Sequence, residues 1–173
     1  MKLFAALLTL PLLCLPCMAQ PQTESAKTTV PDGGLVEVVF VLDTTSSMTG
    51  LLEGAKQKIW SIANEIVTAK PTPLVKIGFV AYRDKGDAYV TQVHDLTANI
   101  DGAFATLQTF QAQGGGDGPE HVNKGLNDAV HQIKWSDAAK VGQSLYQVMF
   151  LVGDWPPHMD YDDGFDYKKH SKE

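Results

Sequence analysis

From Leu35 to Leu42 the chain is apolar at every position except Glu37, and it then passes abruptly into Asp43-Thr44-Thr45-Ser46-Ser47. A Val-rich run with one charge predicts a strand buried on both faces, as in the middle of a parallel sheet. From Met48 to Ala69 the period changes. Leu51, Leu52, Ala55, Ile59, Ile62, Ala63 and Ile66 recur at three-to-four spacing, which predicts an amphipathic helix stopped by Lys70-Pro71-Thr72-Pro73. Leu74 to Tyr82 is a second apolar run, and strand, helix and strand in this succession imply a right-handed parallel pair. Beyond the polar turn Arg83 to Asp87, Ala88 to Leu96 predicts a third strand, hairpin-linked and so antiparallel; its Gln92, His94 and Asp95 suit a sheet edge. Ile100, Phe104 and Leu107 predict a helix over 98–111. Val122, Leu126, Ala129, Val130 and Ile133 predict another, opening with Pro119 and Glu120 in its first turn. Ser144 to Val152 is the last buried strand. The alternation gives an α/β, doubly wound, Rossmann-like sheet, mostly parallel with one antiparallel edge strand, in the order third, second, first, fourth.

In such a sheet, ligands sit beyond the carboxyl ends of the parallel strands. Asp43, Thr45 and Ser47 alternate just past the end of the first strand, so in a curling loop their oxygens converge, and three hard oxygens suit Mg²⁺ or Ca²⁺. The competing reading makes the same hydroxyls N-caps of the following helix. Asp154 ends the fourth strand, and Gly114-Gly115-Gly116-Asp117 opens a helix at the same edge. Asp117 alone would read as a helix cap, and Asp154 alone as the start of a turn into Pro156. Three such loops at one edge are more than capping explains, and they favour a metal site built from Asp43, Thr45, Ser47, Asp117 and Asp154.

The two ends are different in kind. Residues 1–19 run from Lys2 through an apolar stretch, Leu3 to Leu15, to Cys17-Met18-Ala19, which reads as a signal peptide cleaved near Ala19 and too short to span a bilayer. Residues 20–34 read as a flexible leader, and residues 35–173 as one domain. Both cysteines, Cys14 and Cys17, fall in the leading segment, so the mature chain is expected to fold without disulfides in a secreted or periplasmic setting. The formal charge of −6 becomes one unit more negative without Lys2. An acidic chain lacking a Lys/Arg cluster argues against nucleic acid or an anionic membrane as partner.

The three loops together resemble the von Willebrand factor type A domain. The family's metal-ion-dependent adhesion site carries Asp-x-Ser/Thr-x-Ser, here Asp43 to Ser47, and Asp43 alone among the fourteen aspartates has hydroxyl residues at both offsets. Gly114 to Asp117 is similar to the second family loop, Gly-Gly-x-Thr, with Asp117 where threonine is usual, and Asp154 is similar to the third. The Gly-Gly-Gly-Asp-x-Pro-Glu and Gly-Asp-x-Pro-Pro-His forms resemble a subgroup of secreted bacterial proteins. The resemblance implies a secreted module that binds Mg²⁺, with Mn²⁺ or Ca²⁺ as substitutes, and through it a protein or peptide partner, without catalysis. Alternatives are a metal-dependent hydrolase, with Asp43 as nucleophile or His158 as base, and a metal-free structural module. Arg83, Trp155 and His158 are expected at the rim, Arg83 mainly in a surface ion pair with Asp84 or Asp87. The family continues through two more strands, so the chain is expected to be truncated at its C-terminus, with Leu145 to Val152 left as an apolar edge prone to self-association.

Overall fold

The computed structural model describes residues 31–141, 144–161 and 164. The proposed signal peptide, most of the leader and nearly all of 162–173 lie outside them. Four strands form one sheet: β1 (Leu35–Asp43), β2 (Leu74–Tyr82), β3 (Thr91–Thr97) and β4 (Leu145–Val152). The order is β3-β2-β1-β4, with β1 parallel to β2 and β4, and β3 antiparallel to β2. The α/β fold is thus the one expected.

Helices cover both faces because β1 has apolar side chains on both. Val38, Phe40 and Leu42 point to one side, where α1 (Leu52–Val67) and α2 (Ile100–Thr109) pack through Leu52, Ile59, Ala63, Ala103 and Leu107. Val39 and Val41 point to the other side, joining Val80, Tyr82, Val122 and Ala129 under α3 (Val122–His131). Register aligns Phe79, Phe40 and Phe150 across three strands, and their rings stack at 6.1 and 5.3 Å. The charged Glu37, fully buried in β1, is satisfied by Lys76, Ser136 and Gln147.

Several boundaries differ from the sequence expectation. The predicted first helix is divided into a 3₁₀ turn (Ser46–Gly50) and α1, and neither start uses a side-chain cap. β3 begins at Thr91, not Ala88, because Asp84 to Val90 folds on itself: Asp87 accepts from the Asp84 N–H, and the Arg83 N–H donates to Val90 O. α3 begins at Val122, after Pro119 and Glu120. Glu120 is extended, its N–H donating to Pro156 O and its carbonyl accepting from the His158 N–H. A short α4 (Ala138–Val141) has no counterpart in the sequence expectation. β4 occupies an edge among the described residues, with Tyr146, Val148, Phe150 and Leu151 exposed.

Candidate metal centre

β1 delivers Asp43 to the carboxyl edge of the sheet with its side chain fully buried. Its Oδ1 accepts from the Thr45 N–H at 2.8 Å and from the Thr45 hydroxyl at 2.7 Å. The Ser47 hydroxyl donates to Asp154 Oδ1 at 3.0 Å across 107 residues of sequence. Thr45 Oγ1 and Ser47 Oγ also lie within hydrogen-bond distance of each other, at 3.1 Å. Hydroxyl and carboxylate oxygens gathered this closely suit a shared hard cation. The capping reading of these hydroxyls does not hold, since the Thr45 side chain caps nothing.

Two buried oxygens sharpen the case. Asp43 Oδ2 and Glu120 Oε2 have no hydrogen-bond partner of ordinary geometry, and unpaired buried carboxylate oxygens are costly. Burial raises the Asp43 pKa, and the nearby charge of Asp154 adds to this, against hydrogen bonds from Thr45 and Tyr82. Glu120 is pushed up to about 7, chiefly by burial; a hydrogen bond from Thr45 pulls it down, and the charges of Asp43, Asp84 and Asp87 add to the rise. A divalent ion would reverse both effects, so the residues fit a hard cation.

Glu120 escapes the sequence reading as a site residue because it looks like part of a helix turn. Its place is set by the glycine loop. Gly114 and Gly115 have φ of +81° and +76°, and a Cβ on Gly115 would stand 3.0 Å from Glu120 Oε1. The loop is held down as the Ser46 N–H donates to Gly114 O and the Gly115 N–H to Asp87. Gly153 is needed for another reason: a Cβ there would lie 2.3 Å from the Tyr82 hydroxyl and 3.4 Å from Asp43 Oδ2.

The remaining expected residues are placed differently. Asp117 is not a cap of α3, whose N-cap is His121; its Oδ1 faces His158 Nε2 at 3.4 Å. Asp84, which the sequence reading leaves out of the site, lies 3.6 Å from the same nitrogen. His158 is buried beneath the rim, bonded through Nδ1 to Asp160 at 2.7 Å. Asp84, Asp117 and His158 form a group that could hold a metal ion, their ligand atoms within 4.8 Å of one another. Arg83 is corrected from an exposed ion-pair residue to a buried brace. Its guanidinium donates to Thr44 O and Gln111 O and stacks on Tyr89 at 4.3 Å. Trp155 is half exposed, with Gly118 against its ring.

The sequence profile of the von Willebrand factor A domain matches residues 37–149. The chain belongs to the von Willebrand factor A domain family. A mimivirus protein (Acanthamoeba polyphaga mimivirus) described as a putative ariadne-like RING finger protein is 24% identical to this family member over 124 residues, or 72% of this chain and 11% of its own length. Among solved structures, the pilus adhesin SpaC of Lactobacillus rhamnosus GG in its open conformation shares the fold with TM-score 0.53 and 15% identity, over 70% of this chain and 15% of the adhesin. Proximal thread matrix protein 1 of the mussel byssus does so with TM-score 0.54 and 14% identity, over 83% and 34%. The chain thus spans a small part of each relative. No helix among the described residues is long and apolar enough to cross a membrane.

Proposed function

We propose that this von Willebrand factor A domain is a secreted interaction module that holds Mg²⁺, or Mn²⁺ or Ca²⁺ in its stead, at Asp43, Thr45, Ser47, Glu120 and Asp154, and recruits a protein or peptide oxygen as a further ligand. The observation that carries this is the clustering of the Thr45 and Ser47 hydroxyl oxygens with the buried Asp43 carboxylate, whose Oδ2 has no hydrogen-bond partner of ordinary geometry. A binding role is preferred to hydrolysis because the candidate base, His158, is turned towards Asp84, Asp117 and Asp160. The adhesin and matrix-protein neighbours accord with a role outside the cell.

Calorimetric titration with Mg²⁺, Mn²⁺ and Ca²⁺ tests the site. Asp154→Ala, at an exposed position, is expected to weaken binding by at least about tenfold without altering the fold, and unchanged affinity would refute the assignment. A capture experiment with and without chelator then tests whether partner binding needs the ion.

The β4 edge, which pairs with no further strand among the described residues, is proposed as a self-association surface, its backbone row and the side chains of Tyr146 and Leu151 meeting a second copy. Light scattering should show mass rising with concentration, and Leu151→Lys should reverse it. A monomer at every concentration would remove the idea.

A further inference from the structure

We propose that Asp84, Asp117 and His158 form a second, separate cation site, selective for Zn²⁺, beside the hard-cation site proposed above. The three side chains come from the loop after β2, the glycine loop before α3 and the loop after β4. His158 Nε2 lies 3.4 Å from Asp117 Oδ1 and 3.6 Å from Asp84 Oδ2. Those separations are long for direct N–H···O bonds, which centre near about 2.9 Å. They are the separation of two ligands on one ion: bonds of about 2.1 Å at a tetrahedral angle set neighbouring ligand atoms roughly 3.4 Å apart.

The imidazole is also prepared for such a role. Nδ1 is engaged by Asp160 at 2.7 Å, which leaves Nε2 towards the two carboxylates, the carboxylate–histidine arrangement that orients metal-binding imidazoles. The ring stacks on Tyr161 at 4.0 Å with 14° between planes. The Tyr161 hydroxyl in turn bonds both oxygens of Asp84 at 2.7 Å. His158 and Asp84 are 8% and 6% exposed, whereas Asp117 opens to solvent and gives an ion its way in.

Ligand chemistry separates the two sites. An imidazole nitrogen with two carboxylates suits Zn²⁺, while the hydroxyl and carboxylate oxygens around Asp43 suit Mg²⁺, Mn²⁺ or Ca²⁺. Even protonated, His158 balances only one of the three carboxylates it faces, Asp84, Asp117 and Asp160. An ion there would join three loops, so its binding should raise thermal stability.

The test is Zn²⁺ titration of the full chain under saturating Mg²⁺, with the visible spectrum of Co²⁺ as a second readout. One Zn²⁺-binding event is expected. Asp117→Asn, at an exposed position that leaves the fold unstressed, and His158→Gln should each weaken it by at least about tenfold, Asp160→Asn by about 10–100-fold, all with Mg²⁺ affinity retained. Asp43→Ala should do the reverse, losing Mg²⁺ and keeping Zn²⁺. The proposal is overturned if the wild type takes up no Zn²⁺ above Mg²⁺, or if Zn²⁺ uptake and the Co²⁺ spectrum are unchanged in both Asp117→Asn and His158→Gln. Failure of the Asp43-centred site appears separately, as Mg²⁺ affinity indifferent to Asp43.

Discussion

Asp43→Asn should weaken Mg²⁺ binding by about a hundredfold or more and, in the same protein, raise the melting temperature of the metal-free form. The first effect follows from removing the most buried negative oxygen of the proposed site; losing even an outer partner of a metal ligand typically costs about 10–100-fold. The second follows from what that oxygen does when no ion is present. Asp43 is fully buried, its Oδ2 lacks a hydrogen-bond partner of ordinary geometry, and burial and the nearby Asp154 both disfavour its charge. A neutral amide of the same shape keeps an oxygen to accept from Thr45 and sheds the charge. A gain of about 1–2 kcal/mol is expected from relieving an uncompensated buried group, or a few degrees in a chain of this size. Calorimetric titration and a thermal melt in chelator check the two halves. A melt unchanged or lowered in the Asp43→Asn variant would mean that the metal-free site is already relaxed around its charge, and retained Mg²⁺ affinity would remove Asp43 from the site.

That opposition between binding and stability bears on why part of the site is legible in the sequence and part is not. Asp43, Thr45 and Ser47 belong to one short loop directly after a strand whose apolar run marks its own end, so local pattern alone locates them. Two-sided burial makes β1 and β2 equally visible, since a strand covered on both faces has no polar alternation to confuse with a helix. The apolar run of β4 places Asp154 by the same strand-end rule. Glu120 is hidden, because its conformation depends on contacts far along the chain: the backbone of Pro156 to His158 holds it extended where the helix pattern predicts a first turn. The Gly-Gly-Gly-Asp spacing draws attention to Asp117 instead, yet Asp117 is turned to His158 and Asp84. Arg83 is hidden for a different reason. An Arg-Asp pair in a polar turn looks like surface, but the carbonyls of Thr44 and Gln111 and the ring of Tyr89 cover it. No periodicity within the turn carries that information. For Asp84, beside Arg83, the available signal is its position past the end of a parallel strand, the same rule that locates Asp43 and Asp154.

Metal-free protein should lose stability as the pH rises from about 4.5 to 7, and Glu120→Gln should remove much of that slope. Glu120 is 1% exposed, and burial, with the charges of Asp43, Asp84 and Asp87, lifts its pKa from 4.5 to about 7. Between those values the folded chain holds a proton that the unfolded chain has lost, so unfolding releases it and stability falls with rising pH. The whole effect is of the order of 3 kcal/mol, which corresponds to a fall on the order of 10 °C. Asp43, also raised, acts in the same direction. His158 does too, over a different window. Burial opposes its charge, but the Asp160 hydrogen bond and the Asp84 and Asp117 carboxylates raise its pKa above 6.5, so its contribution is complete below 6.5 and fades as the pH climbs through the raised value. The Glu120→Gln variant should therefore decline only weakly in melting temperature from about pH 4.5 to 6.5 and more clearly above that, whereas the parent declines steeply throughout. A divalent ion reverses the trend, because it needs the ionised carboxylate: Mg²⁺ affinity of the parent should rise with pH up to about 7, and that rise should be shallower in Glu120→Gln. Melts in chelator and titrations across the same pH range measure both slopes, and identical slopes in parent and variant would show that Glu120 is ionised in the metal-free fold and stands apart from the ion.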